Sequence, residues 1–319
     1  MMNYRRIGKS GLKISEISIG AWLTFGGSVT AETTKPIIET ALDLGINYID
    51  LADIYTKGKA EEAIGKIIKG KTRSDLVISS KVFWPMSENI NDRGLSRKHI
   101  MESIDKSLKR LGTDYLDLYF CHRFDPDTDM EEIVRAMDDL VHQGKILYWG
   151  TSVWSAEHIE RAIGIARDLR AYAPIVEQPR YNMLDRHTEL DIMATCAHNG
   201  IGLTVWSPLA QGLLTGKYND SIPQNSRGGI SNWLKNDLTE DNIAKVKKLT
   251  QLAKDLNLSL SQLALAWILR RPEISCAITG ATKPEHVKQN VMASEVKLDD
   301  NTLKQIEKIL KNKPIKPMM

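Results

Sequence analysis

The sequence predicts an α/β fold: eight parallel strands, each followed by a helix, closed into a barrel. Three observations carry this. Short β-like runs alternate with helical patterns along the whole chain, the alternation repeats eight times, and no composition break divides the 319 residues. Parallel strands need crossover connections, which helices supply. Eight βα units in this length fit a (β/α)8 barrel of the TIM type. A doubly wound open sheet is the competing α/β architecture, and it calls for a glycine-rich phosphate turn after the first strand. The stretch "IGAWLTFGG" (19–27) does not match GxGxxG, and GxxxxGK[ST] occurs nowhere. The pattern therefore favours one barrel domain over residues 1–319.

The elements follow in order. Before residue 14 the chain reads as a short N-terminal hairpin, with "GKSG" (8–11) as its turn. "ISEISIG" (14–20) is the first strand, and "AETTKPIIETALDLG" (31–45) its helix, ending at Gly45. "INYID" (46–50) precedes "KAEEAIGKIIKG" (59–70). "DLVISSKV" (75–82) precedes "SRKHIMESIDKSLKRLG" (96–112). "YLDLYFCH" (115–122) precedes "MEEIVRAMDDLVHQG" (130–144), and "KILYWGTS" (145–152) precedes "SAEHIERAIGIARDL" (155–169). "PIVEQ" (174–178) precedes "HTELDIMATCAHNG" (187–200). The seventh strand, "IGLTVWSP" (201–208), leads into a long polar loop and then the helical patterns at 241–257 and 259–271. "SCAITGAT" (275–282) precedes "KPEHVKQNVMASE" (283–295). The basic, proline-punctuated tail "KNKPIKPMM" (311–319) reads as a surface terminus.

Bulk numbers exclude several function classes. With 42% hydrophobic and 26% charged residues, the chain has a globular composition. A net charge of +3 gives no electrostatic case for nucleic acid or an anionic membrane as main partner. No stretch approaches the roughly 18 apolar residues of a membrane span, and the N-terminus lacks the apolar core of a signal peptide. Cys121, Cys196 and Cys276 are too scattered for a CxxC motif and fit reduced thiols, hence a cytoplasmic location.

Barrel active sites lie at the C-terminal strand ends and in the loops that follow. Asp50 ends the second strand and Tyr55 lies in its loop. Lys81 stands near the end of the third strand, and His122 ends the fourth. These strands are neighbours, so four polar side chains converge on one side of the barrel mouth. A lysine in a strand buried on both faces is costly unless paired, and Asp50 is the adjacent partner. Singly, each has a structural reading: a buried salt bridge for Lys81 and Asp50, a loop cover for Tyr55, a hydrogen-bonded strand end for His122. Together they suit proton delivery to a carbonyl oxygen. Asp50 orients Lys81, the ammonium lowers the phenol of Tyr55 from its ordinary pKa of about 10, and His122 hydrogen-bonds the substrate oxygen. The quartet holds no hydride source, so carbonyl reduction requires a cofactor.

At these residues the sequence resembles the aldo-keto reductase superfamily, whose catalytic tetrad the set Asp50, Tyr55, Lys81 and His122 matches in order, spacing and strand placement. The likeness runs from "GLKISEISIGAW" (11–22) to "ITGATKPEHVKQN" (278–290). The chain is similar to the branch containing the voltage-gated potassium channel β-subunits through "GKAEEAIGKIIKG", "YWGTSVWS", "WSPLAQGLLTGKY" and "LALAWILRR". That branch's channel subunits carry asparagine where this chain has His122, a residue typical of ordinary reductases. The resemblance thus implies an NADP(H)-dependent reductase of aldehydes or ketones.

It also implies cofactor contacts. Trp22 would line the pocket, and Asp50 would lie near the nicotinamide ribose. Ser152 and Gln178 would bind the carboxamide, and Trp206 would stack on the ring. Ser207, Pro208, Leu209, Gln211 and Gly212 would follow the pyrophosphate. Lys217 and Arg227 lie in the loop after the seventh strand, which would close over the cofactor. Gly280, Thr282, His286, Gln289 and Asn290 would meet the adenosine phosphate. Departures from the branch are Val153 for an arginine, Asn225 for a tyrosine, and His286 and Gln289 for a glutamine and a glutamate. Lys217, Arg227 and Lys283 still supply positive charge for a 2′-phosphate. Related proteins include tetramers and larger rings, so a homo-oligomer is within what the resemblance implies.

Two other functions compete. One is an NADP(H)-binding redox sensor with little turnover; the other is a metal-dependent barrel hydrolase, for which the first strand offers no clustered ligands. Trp22, Trp84 and Tyr181 are expected to line an apolar substrate pocket, without choosing the substrate.

Overall fold

The computed structural model describes residues 2–22, 31–224, 226–230 and 234–314. Strands β1 (Tyr4–Arg6) and β2 (Lys13–Ser15) form an antiparallel hairpin. Eight parallel strands follow: β3 (Ile17–Gly20), β4 (Tyr48–Asp50), β5 (Val77–Val82), β6 (Leu116–Cys121), β7 (Ile146–Thr151), β8 (Val176–Glu177), β9 (Gly202–Val205) and β10 (Ile274–Thr279). They close in the order β10-β3-β4-β5-β6-β7-β8-β9. Pairing of β10 with β3, Ala277 opposite Ile17, completes the ring and decides for the barrel over the open sheet.

The helices are α1 (Ala31–Asp43), α2 (Lys59–Ile68), α3 (Arg97–Leu111), α4 (Met130–His142), α5 (Ala156–Leu169), α6 (Ile192–Asn199), α7 (Arg227–Ile230), α8 (Glu240–Asp255), α9 (Leu260–Leu269), α10 (Pro284–Val291) and α11 (Asp300–Leu310). Their starts are written locally. Ser96, Asp129, Ser155, Thr239, Ser259 and Asp299 each accept a backbone N–H of the following first turn, satisfying donors the helix cannot.

The core has two layers. Tyr48, Val77, Leu118, Phe120, Val176, Cys276 and Ile278 fill the barrel, joined by Ile7 and Ile14 of the hairpin. The larger layer, including Ile49, Ile78 and Tyr119, packs between strands and helices. The hairpin plugs the N-terminal end of the barrel: Lys9 N donates to Gly200 O at 2.8 Å. A Cβ on Gly8 would stand 2.1 Å from that oxygen, so only glycine fits this approach.

Several boundaries depart from the sequence reading. The expected strand 14–20 is two strands. Ile14 and Ser15 pair in the hairpin, and Ile17 begins the barrel. Between them the buried Glu16 is held by Arg5 Nε at 2.5 Å and Ser294 Oγ at 2.6 Å. Partners so distant in the chain leave no trace in local periodicity. The segment 187–200 divides into a 3-10 turn (His187–Glu189) and α6, and 283–295 into α10 and a 3-10 turn (Met292–Glu295). The loop after β9 carries a 3-10 segment (Ala210–Thr215) and the short α7. Helix α11 was not expected; Asp299 caps it, Ile306 and Leu310 are buried, and it packs on α8.

Candidate active site

Strand period explains why the polar quartet faces inward. Side chains two apart share a face of a strand. On β4 the buried interior residue Tyr48 puts Asp50 inside; on β5 Val77 and Ser79 lead to Lys81; on β6 Leu118 and Phe120 lead to His122, one residue beyond the strand. Tyr48 pairs with Val77 and Asp50 with Ser79, and Lys81 with Phe120, so the three strand ends are level.

Lys81 is fully buried, and its Nζ donates to Asp50 Oδ2 at 2.7 Å, Leu51 O at 2.5 Å and Tyr55 Oη at 3.4 Å. Those three contacts match the three donors of an ammonium. The other Asp50 oxygen, Oδ1, accepts from Ser79 Oγ at 2.9 Å, Tyr48 Oη at 3.2 Å and Gln178 Nε2 at 2.9 Å. Since the lysine has no acceptor, Tyr55 Oη accepts in that contact, and the phenolic proton is left for another acceptor. His122 stands edge-on to Tyr55, ring centroids 5.9 Å apart, and its Nδ1 has no hydrogen-bond partner among the described residues.

The electrostatics correct one expectation. Tyr55 is pushed well above its ordinary pKa, first by burial and then by the Asp50 charge, while Arg123 pulls it down. The ammonium of Lys81 does not reverse this, because Asp50 already neutralises it. Tyr55 keeps partial solvent access, which tempers the burial effect. Burial lowers Lys81 and Asp50 opposes that. His122 lies well below the usual imidazole value through burial, then the charges of Lys81 and Arg123, and is neutral at pH 7.

Ser152 and Gln178 are buried beside the quartet: Ser152 Oγ donates to Gln178 O at 2.9 Å, and Gln178 reaches Asp50 as above. Trp206, after β9, meets Trp22 edge-on at 6.2 Å, and its Nε1 is buried without a hydrogen-bond partner among the described residues. The turn from Ser207 through Pro208 and Leu209 to Gly212 has positive φ at Ser207, Ala210, Gln211 and Gly212, strain of the kind found at ligand clamps. A Cβ on Gly212 would stand 2.7 Å from Lys217 Nζ, so glycine lets this lysine fold over the turn.

Beyond β10, Gly280, Thr282, Lys283, His286 and Gln289 are exposed, and Asn290 is buried. His286 Nδ1 lies 3.4 Å from Thr282 Oγ1, and burial, then Lys283 and Lys217, lowers its pKa. This end of the mouth therefore gathers positive charge around the uncapped start of α10, where a dianionic phosphate fits by charge and donor type. The side chain of Arg227, and Asn225 altogether, lie outside the described residues.

Tyr181 is a correction. It is fully buried, stacked on Trp267 with centroids 5.3 Å apart, and donates to Glu189 Oε1 at 2.6 Å, so it is core and not pocket. Trp84 does stand at the mouth, edge-on to His122 at 6.3 Å. The sequence reading missed Tyr48 and Ser79, which share Asp50, and Arg123. The first two were discoverable from the inward period on β4 and β5. Arg123 is out of step with the inward period that carries Leu118, Phe120 and His122, so period could not have found it.

Among the described residues, no helix is long and apolar enough to cross a membrane. Residues 16–311 match the sequence profile of the Aldo/keto reductase family, whose members are NAD(P)H-dependent oxidoreductases. The chain is 45% identical over 325 residues to an Arabidopsis thaliana protein named "Probable voltage-gated potassium channel subunit beta", covering 99% of each. A protein of the same name from Oryza sativa subsp. japonica is 43% identical over 98% of each. A Schizosaccharomyces pombe protein, also named as a β-subunit of such a channel, is 45% identical over 98% of this chain and 94% of its own.

Proposed function

The chain belongs to the aldo/keto reductase family, and from this we propose that it reduces aldehyde or ketone carbonyls to alcohols with NADP(H), Tyr55 being the proton donor. One observation carries the reading: Lys81 Nζ, buried and bound to Asp50, donates to Tyr55 Oη, which directs the phenolic proton elsewhere. When bound, the reduced dinucleotide supplies the hydride. Tyr55 Oη gives its proton to the carbonyl oxygen, and Lys81 steadies the charge left on the phenol. A raised phenol pKa keeps that proton in place until the oxygen gains negative charge. Neutral His122 donates a hydrogen bond to the same oxygen.

Ser152 and Gln178 would hold the carboxamide, Trp206 the nicotinamide face, and the turn Ser207–Gly212 the pyrophosphate. Lys217, Thr282 and His286 would meet the 2′-phosphate, which favours NADP over NAD. The protein is read as cytoplasmic, in keeping with its three buried free thiols, and as a candidate for homo-oligomer assembly.

The names of the whole-length relatives support a second reading, a cofactor-binding regulatory subunit of the channel β type with little turnover. NADPH oxidation across aldehydes, ketones and quinones separates the two. On the first reading Tyr55→Phe lowers turnover by about 10²–10⁴-fold with cofactor binding intact. Near-wild-type turnover of that variant would remove Tyr55 from its role, and bound NADPH without turnover in the wild type would favour the regulatory subunit.

A further inference from the structure

Arg123 is a cation at the tetrad side of the mouth that the mechanism does not use. It follows His122 directly and is half-buried. Among the described residues no carboxylate pairs with it. Its Nη1 donates to His122 O at 2.5 Å, and its Cζ lies 5.6 Å from the ring of Trp84. A guanidinium has five N–H donors, so most of them are uncommitted.

Glu177, the carboxylate whose charge acts on Arg123, and Asp125, two residues on, are engaged elsewhere, and Asp53, buried in the loop after β4, is not among the groups that act on Arg123. Glu177 accepts from Thr151 Oγ1 at 2.6 Å and Val153 N at 2.7 Å. Asp125 accepts from Leu95 N at 2.7 Å, Thr128 Oγ1 at 2.9 Å and Asp127 N at 3.1 Å. Nor does the cationic patch around Lys217 and Thr282 share an anion with Arg123. That patch follows β9 and β10, and β6 stands opposite β10 in the ring of eight. Glu177 acts on Arg123 only through space, and a partly desolvated cation without a hydrogen-bonded counter-ion is costly, a cost that an incoming anion relieves.

We propose that Arg123 is the specificity-determining residue of this site, receiving a carboxylate carried by the substrate. The preferred substrates are then aldehydes or ketones that bear a carboxylate on an apolar spacer, the spacer lying against Trp84. This rests on the reductase reading above. The carboxylate is a handle and is unchanged by the reaction: the carbonyl carbon takes a hydride from NADPH, leaving NADP⁺, and the carbonyl oxygen takes the proton of Tyr55. Arg123 also sits close enough to depress both Tyr55 and His122, so the handle and the reacting carbonyl are near neighbours.

The test compares 4-carboxybenzaldehyde with its methyl ester, in the wild type, Arg123→Gln and Arg123→Lys. The wild-type kcat/KM ratio of acid to ester should fall by roughly tenfold in Arg123→Gln, the loss of one charge-assisted hydrogen bond, and recover in part in Arg123→Lys. The same ratio should fall as salt rises in the wild type, a readout independent of any variant. A ratio unchanged by Arg123→Gln and by salt would overturn the proposal. Tryptophan fluorescence supplies a binding readout without chemistry. If neither aldehyde turns over but the acid binds more tightly than the ester only when Arg123 is present, the reductase reading fails and the anion site stands. Equal binding of acid and ester would overturn the site.

Discussion

Replacing Lys81 with methionine removes the charge from the barrel interior while keeping much of the side-chain volume. Asp50 is then left buried, its Oδ2 without the 2.7 Å contact. Removing one partner of a buried ion pair costs about 3–5 kcal/mol. Here the lower end applies, because Oδ1 keeps three neutral donors, from Tyr48, Ser79 and Gln178. Leu51 O also loses its donor, adding about 1 kcal/mol. The sum, about 4 kcal/mol, corresponds to a fall in melting temperature of roughly 8–16 °C for a large domain.

Thermal and urea melts of Lys81→Met, Asp50→Asn and the double variant would measure it. In the double variant the unpaired charge is gone and the Asn oxygen still accepts from the three donors. Stability should therefore return by more than about 1.5 kcal/mol relative to additivity. Turnover should stay lost, since the cation beside Tyr55 is absent. A Lys81→Met protein that melts within about 1 kcal/mol of wild type, or a double variant that is merely additive, would refute the argument that the pair is buried and mutually dependent.

Two further outcomes follow from the charges at the mouth. His122 is held neutral by burial and the neighbouring cations, so below its unfolded value of about 6.5 only the unfolded chain takes up the proton, and stability falls as pH drops. Melts at pH 5.5 and 7.5 should therefore differ more for wild type than for His122→Asn, by up to about 1.4 kcal/mol per pH unit, and equal differences would contradict the buried neutral ring. Lys217→Ala combined with Lys283→Ala should weaken NADPH binding at low salt by at least about tenfold and NADH binding far less. Titration by tryptophan quenching reads both, and equal losses would mean that these lysines do not meet the 2′-phosphate.

Alternating strand and helix patterns, cap residues and turn glycines act over a few residues, so the order of the eight βα units was legible in the sequence. The same holds for the quartet. Asp50, Lys81 and His122 stand out because each is a polar residue at the end of an apolar run, and period two turns them to one face. What local pattern cannot carry is decided by residues far apart in the chain. Closure depended on β10 meeting β3. The break at Glu16 depended on Arg5 and Ser294, and the burial of Tyr181 on Trp267 and Glu189. Asp299 as a cap and the apolar spacing of α11 are, by contrast, local signals of the same kind as those of the eight βα units. The direction of the Tyr55 pKa was a tertiary matter throughout: desolvation, Asp50 and Arg123 act through space at once, and their balance exists only when β4, β5 and β6 stand side by side.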